Sequence, residues 1–491
     1  MDRSSRITML LALALLMLLA TAAPALAADE VVVTAEGPGV WYQYGDGASG
    51  AIKANLKAFW GVAKRSGTSK AKLIAEARAA KADLDAAWVA SIRSAAKGAG
   101  VRFVDLLAFN VARSHMVQTG ACTNFAAAGT GTEGDYVIVS KNRDLQGTQV
   151  MFFVAPTSGY RYIGMMTAGE VGVSQGINEM GVAIGHNWMP VDDYSEDGLT
   201  PFAINEQVLM GCATADEAVA FIEATNHYEG ATYELGDGVK AAIVETVPGY
   251  FAEQGVPTSV VNWVENGAEA HANHYMYEPY YSMVLAGELG NMWSSSIGRQ
   301  DRADELLDEN GHVMTPALQM AFNRDFEGWG MRNRVIELRR AHPEIPKDIW
   351  SYGWSGFSIC NMRTVSSSVF VLSPESPELT SAMWSSINNP GFSPYTPFHT
   401  ALLADVDAAT AALPDYGDGT AWEAVSAVMK SHEYDYGDLL PTFVGWEALA
   451  FGETADLEAA ARLTGDGSAL ADRDIGLALE AQDLIDSLLQ P

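Results

Sequence analysis

Cysteine is scarce in this chain: three in 491 residues, at positions 122, 212 and 360. A disulfide-stapled fold is excluded, since at most one bridge can form, with Cys212 and Cys360 the available pair if Cys122 stays free. Basic side chains are also few, 30 against 61 acidic ones, for a net charge of −31. Such a surface repels phosphate backbones and anionic headgroups, which argues against nucleic acid and lipid surfaces as partners. The sequence has no N-x-S/T acceptor, no internal repeat and no low-complexity linker. Long apolar runs are missing except for Met9 to Leu19, which follows Arg3 and Arg6 and precedes Ala25-Leu26-Ala27. That order reads as a secretory signal peptide over residues 1–27: the run is short for a membrane span, no stop-transfer segment follows, and no cysteine lies nearby to take a lipid. The expectation is an exported protein, secreted or periplasmic, without a membrane anchor. Removing the leader's +1 (Arg3 and Arg6 against Asp2) from −31 leaves −32.

The rest of the chain changes texture twice. From Ile52 to Asn110 the spacing is helical, with Ile52, Leu56, Phe59 and Trp60 on one face, and Leu84, Trp88 and Ile92 on another. After Gly120 short apolar strands appear, such as Tyr136 to Val139 and Met151 to Val154, separated by glycine-rich turns. Thr214 opens a helix to Ala224; Lys240 to Glu245 and Val365 to Leu372 read as strands around a helix near Arg302 to Asp308. Beyond Thr400 the tail is acidic and helical, with a stripe of Leu477, Ala481, Leu484 and Leu488. The layout is helices, an α+β body, then helices.

Residues 120–144, GACTNFAAAGTGTEGDYVIVSKNRD, contain both GTGTEG and Cys122. The glycine pattern matches a dinucleotide fingerprint, but a strand, DYVIVS, follows it where a helix N-terminus must receive the pyrophosphate. GTGTEG is therefore a hairpin turn, and no cofactor is expected. The hairpin returns Asn142-Arg143-Asp144 to the end of the strand that begins with Cys122. No Cys–His pairing stands out among the nine histidines. A cut between Ala121 and Cys122 would supply a base instead, an α-amino group with an ordinary pKa of about 8 on the same residue as the thiol. A small buried core cysteine is the structural alternative.

Several segments together resemble the isopenicillin N acyltransferase-like family of N-terminal-nucleophile hydrolases, in the superfamily of choloylglycine hydrolases and acid ceramidases. SAAKGAGVRFVDLLAFN (Ser94 to Asn110) is similar to that family's helical pro-region, and ACTNF with KNRD to its C-T-x-x and R-N-x-D elements. The resemblance implies self-cleavage before Cys122, with Asp144 bonding the new α-amino group. Lys141 stands where the family has Arg, and Ala121 where it more often has Gly. GVSQGINEMGVAIGHNW (Gly172 to Trp188) resembles a hairpin whose second Asn, here Asn187, gives an amide to the oxyanion hole, while Asn178 is expected to be a left-handed turn residue. EAHANHYMYEP places Asn273 in the site, and SSSIGRQDRADELL places Arg299 there with Arg302 in a structural ion pair. His271 and His274 could begin a metal site, but no third ligand has readable spacing, and no metal is expected. MRTVSSSVFVL and SINNPGFSPYTPFH complete the similarity, the second also resembling related dipeptidases.

The resemblance thus implies the four-layer αββα fold, with a helical pro-segment over 28–121, a hydrolase domain over 122–400 and a helical extension over 401–491. It implies an N-terminal cysteine amidohydrolase or acyltransferase acting on linear amides of small molecules or short peptides through an acyl-thioester. The two cleaved fragments are expected to stay associated. A dipeptidase on the same fold, or an exported binding protein without catalysis, are the rival readings.

Overall fold

The computed structural model describes residues 39–116, 121–191, 194–195, 198–327, 334–347, 350–351 and 357–489. The leader expected at 1–27 lies outside them. The body opens with β1 (Ala121–Ala128) and β2 (Val137–Asp144), followed by β3 (Gln149–Val154), β4 (Tyr162–Thr167), β5 (Gln175–Asn178) and β6 (Ala183–Trp188). After two helices come β7 (Ala231–Gly236), β8 (Ala241–Thr246), β9 (Ser259–Val264) and β10 (Gly267–His271). The remaining strands are β11 (Met292–Trp293), β12 (Trp350–Ser351), β13 (Thr364–Leu372), β14 (Ala382–Ser386) and β15 (Thr396–His399). One sheet has six strands in the order β10-β1-β2-β13-β14-β15 and the other has seven from β3 to β9 in sequence order; each is antiparallel throughout.

Strand alternation decides how the sheets stack. Ala126, Val137, Val139 and Phe370 of the first sheet face Met151, Ile163, Met165 and Ile243 of the second. Phe125, Ala127, Ile138 and Val369, on the opposite face of the first sheet, pack on Ala303, Leu307, Met320 and Phe322 of the helices Ser294–Glu309 and Pro316–Asn323. The outer face of the second sheet, with Ile184, Tyr233 and Val244, is covered by Ile204, Val208, Val219 and Ile222 from Pro201–Gly211 and Ala215–Ala224. Helix, sheet, sheet, helix is the αββα arrangement of the N-terminal-nucleophile hydrolases. The expected Thr214 cap is formed, its hydroxyl accepting from the Glu217 N–H at 3.2 Å.

Five helices between Val40 and Met116 share one apolar core with Val150, Met166 and Val171 at the β3–β4 edge of the second sheet. Buried polar bonds fix their seat: Asn55 Nδ2 donates to the Thr148 and Ala168 carbonyls at 3.0 and 2.9 Å, and Trp88 Nε1 to Val171 at 2.9 Å. The C-terminal helices Leu440–Thr464 and Ser468–Ser487 are also fastened through buried charge. Glu447 pairs with Arg324, and Asp474 receives His399 Nδ1 at 2.9 Å. Of the expected stripe, Leu477 and Ala481 are buried, and Leu484 and Leu488 pack against Phe392, Val425 and Phe443.

Two open points are placed by the fold, and one expectation, at Asn178, is corrected. All three cysteines are free thiols, so the pairing open to Cys212 and Cys360 is not made; Cys212 caps a helix on the outer layer and Cys360 sits beside Asn389. Asn178 does not adopt a left-handed conformation. Its side chain does the turn's work instead, Oδ1 accepting from the Met180 and Val182 N–H groups at 3.0 Å, while Gly181 takes the positive φ of 78°. GFSPYTPFH ends in β15, at the sheet edge farthest from β10, and is built into the core, with Tyr395 N–H on Glu447.

Candidate active site

The antiparallel register sets Cys122 opposite Arg143 and Ala121 opposite Asp144, so the hairpin returns the carboxylate to the cysteine's end as expected. Alternation along β1 points Cys122, Asn124 and Ala126 into the space between the sheets and Thr123 outward. Cys122 is partly exposed, whereas Cys212 and Cys360 are buried, and burial pushes the Cys212 thiol up to about 12 and Cys360 well above its ordinary value. Among the described cysteines, Cys122 alone combines access with the nearby charges of Lys141 and Arg299.

Asn273 and Arg299 converge on it from separate elements. Cys122 N–H donates to Asn273 Oδ1 at 2.8 Å; Arg299 Nη2 donates to the same oxygen at 2.8 Å, and Nη1 donates to the Cys122 carbonyl and, at 2.9 Å, to Thr123 Oγ1. Asn273 Nδ2 closes the cluster on the Trp188 carbonyl at 2.8 Å. Arg299 is fully buried, which pulls its basicity down from the ordinary value, while Asp144 and Cys122 oppose that pull. Arg302, one turn on, forms the expected structural pairs with Asp325 and Glu305, each at 2.7 Å.

Asp144 does not touch the Cys122 nitrogen. Its two oxygens accept from Asn361 Nδ2 at 2.7 Å and Thr364 Oγ1 at 2.6 Å. Burial raises its pKa to about 6, against the favourable charge of Arg299. Asn187 is likewise committed elsewhere than an oxyanion position: Nδ2 donates to the His271 and Ala272 carbonyls at 3.1 and 3.0 Å, and Oδ1 accepts from Lys141 Nζ at 3.1 Å. A fully buried amide with both hydrogens satisfied is a brace between β6 and the end of β10. His271 bonds Glu245 at 2.8 Å and His274 bonds Ser296 at 2.8 Å, so the two rings diverge, and no group of three metal-ligating side chains occurs among the described residues.

Two further groups reach the site: Lys141, which the KNRD motif already offered, and Glu229, which comes from far along the chain and which sequence reading missed. Lys141 is buried and bonds the His186 carbonyl and Asn187 Oδ1; burial holds its amine below the ordinary value. Glu229 accepts from Trp188 Nε1 at 2.9 Å and burial raises it to about 7. Both line a cavity with Cys122, Asp144 and Asn273 at one end and an apolar wall made by Leu84, Trp88 and Val111 of the N-terminal helices with Phe202 and Tyr228 of the body. Only the lysine in KNRD was a signal within reach of sequence; the cavity wall was not, because it joins residues over 100 positions apart.

Two stacked antiparallel sheets between helices, with a cysteine at the head of an inner strand, define an N-terminal-nucleophile hydrolase fold. Residues 130–325 match the family model of acyl-coenzyme A:6-aminopenicillanic acid acyl-transferase, and over that stretch the resemblance seen in the motifs holds. The matched stretch begins after Cys122 and includes Lys141, Asp144, Asn187, Asn273 and Arg299. No curated protein matches the chain. Solved structures similar to it include a mutant of conjugated bile acid hydrolase from Clostridium perfringens (12% identity, 56% of this chain and 91% of that one, TM-score 0.32). Penicillin V acylase from Agrobacterium tumefaciens is 18% identical over 54% of this chain and 86% of that one, TM-score 0.32. The N-acylethanolamine-hydrolyzing acid amidase ortholog of Caenorhabditis elegans is 14% identical over 54% and 99%, TM-score 0.31.

Proposed function

We propose that this protein is an exported, self-processing amidase whose nucleophile is Cys122, made N-terminal by a cut after Ala121. The observation that carries the proposal is the placement of Cys122: a partly exposed thiol at the inner end of an apolar cavity, its nitrogen held by Asn273 and its carbonyl by Arg299. In the processed enzyme the α-amino group, held on Asn273 Oδ1, draws the thiol proton, and the thiolate attacks the carbonyl of a linear amide. The amine leaves, and water or a second amine resolves the acyl-thioester. Arg299 keeps Asn273 oriented and supplies positive charge. Asp144 neutralises that charge from the far side, and Asn187 is a positioning residue for Lys141 and the end of β10. Trp88, Val111, Phe202 and Tyr228 suit an apolar acyl group.

Residues 28–121 act as pro-segment, 122–400 as the hydrolase domain and 401–491 as a helical extension. The N-terminal helices share a core with the body in which each fully buried large apolar side chain contributes about 1.5–3 kcal/mol, so the fragments stay together after cleavage.

The test is turnover of N-acyl amides with apolar acyl groups, run beside a dipeptide panel, with peptide mapping of the trapped enzyme. The expected result is amide hydrolysis with the acyl group found on Cys122. Hydrolysis of dipeptides alone would favour the dipeptidase reading. No turnover and no acylated Cys122 would favour a binding protein.

A further inference from the structure

In the intact chain the Cys122 nitrogen is a peptide nitrogen, so the α-amino base proposed for the processed enzyme does not yet exist. The first cut needs another proton acceptor. Lys141 lies opposite Asn124 on β2, 1% exposed, and lines the same cavity as the Cys122 thiol. Its hydrogen-bond partners are two oxygens, the His186 carbonyl and Asn187 Oδ1. A neutral amine has two N–H donors and one lone pair, and an ammonium has three donors. Those two oxygens occupy two of its N–H groups, which leaves the third position, a lone pair when neutral and an N–H when protonated, for the Cys122 sulfur in the same cavity. A group with that property can take a proton without any neighbour moving.

The site is built to admit this side chain. A Cβ at Gly185 would lie 2.9 Å from Lys141 Cδ, so the glycine leaves the lane its stem occupies. The ionisable groups around Lys141 are Cys122 from β1, Arg143 and Asp144 on its own strand, His186 from β6 and Glu234 from β7. Glu234 is buried, receives Asn124 Nδ2 on Oε2 and has no partner on Oε1. It and the thiolate favour the ammonium, while burial and Arg143 favour the neutral amine.

Resting on the processing reading above, we propose that Lys141 is the general base for self-cleavage, accepting the Cys122 thiol proton in the intact chain. The S–H proton moves to Lys141 Nζ, and the sulfur forms a bond to the Ala121 carbonyl carbon. As the carbon–nitrogen bond breaks, the proton passes from Lys141 to the departing Cys122 nitrogen. This leaves a thioester and a free α-amine. Water then hydrolyses the thioester to the Ala121 carboxylate and the Cys122 thiol. The Arg that the resembling family carries here cannot serve this way, because a guanidinium stays protonated.

The test follows conversion of freshly synthesised full-length chain to two fragments by intact mass across a pH series, with melting curves. Wild type, Lys141→Arg, Lys141→Met and Glu234→Gln are compared. Lys141→Arg keeps the charge and loses the base, so it is expected to process about 100-fold or more slowly while melting like wild type. Glu234→Gln removes a charge that holds the ammonium, so the rise of rate with pH is expected to move to lower pH. Processing of Lys141→Arg within about threefold of wild type would overturn the inference. Should that variant not fold, an unmoved pH profile in Glu234→Gln overturns it alone. A wild-type chain that never cleaves, or a Cys122→Ala chain that does, would instead overturn the processing reading itself.

Discussion

Asn273 holds three elements together, and removing its side chain strips three buried groups of partners at once. In Asn273→Ala the Cys122 N–H, one arm of the Arg299 guanidinium and the Trp188 carbonyl each lose a 2.8 Å hydrogen bond. A buried polar group left unsatisfied costs about 1–3 kcal/mol, and more for a charged one. The low end applies, because Asn273 lines the cavity, where water can reach, and Arg299 keeps its bonds to Cys122 and Thr123. The expected loss is therefore about 3 kcal/mol, one from each group. Urea denaturation of Asn273→Ala in a Cys122→Ala background, where the chain is single and inactive, isolates that stability term. In the otherwise native chain, the same substitution is expected to slow turnover as well, because the processed α-amine loses its acceptor. A stability change under about 1 kcal/mol together with unaltered turnover would refute this reasoning, since it would mean that the Asn273 bonds hold nothing.

Buried ionisable groups make stability depend on pH. Burial raises Glu206 to about 8, and its charged neighbours raise His399 to about 10 despite burial. Both bind protons more tightly folded than unfolded, so Glu206 loses stabilisation as pH rises from its unfolded value toward 8, and His399 as pH rises from about 6.5 toward 10. The melting temperature is expected to fall from neutral pH to pH 10, less steeply in Glu206→Gln; a rise would contradict both assignments. Thiol titration under denaturing conditions without reductant should count three thiols, and a count of one would show a Cys212–Cys360 bridge. After processing, size exclusion should give one species that separates into two only on denaturation; separation under native conditions would show that the shared N-terminal core does not hold the fragments.

The parts of this molecule that were legible in its sequence are those governed by local rules. GTGTEG before a strand gave the hairpin, and the hairpin's antiparallel return brought Asp144 to the end where Cys122 lies. The spacing of Leu477, Ala481, Leu484 and Leu488 gave the packed stripe of the last helix. Motif order brought Asn273 and Arg299 to Cys122, although which atom each would bond was beyond it. The Asn187 and Asp144 side chains are both drawn to partners outside the expected set, the carbonyls ending β10 and the Asn361–Thr364 pair, because a buried polar group takes the nearest available partner. Asn178 fooled a backbone argument, since its side chain bonds the turn and leaves the left-handed position to Gly181. The cavity wall depends on how the sheets and N-terminal helices meet, which no local spacing encodes.

The central claim is that Cys122 becomes the N-terminus of a catalytic chain. Intact mass and N-terminal sequencing of purified wild-type protein, beside Cys122→Ala, test it most directly. A large fragment beginning Cys-Thr-Asn-Phe and a small one ending at Ala121 are expected in the wild type, with the variant in one piece. An active wild-type preparation that remains a single chain would contradict it.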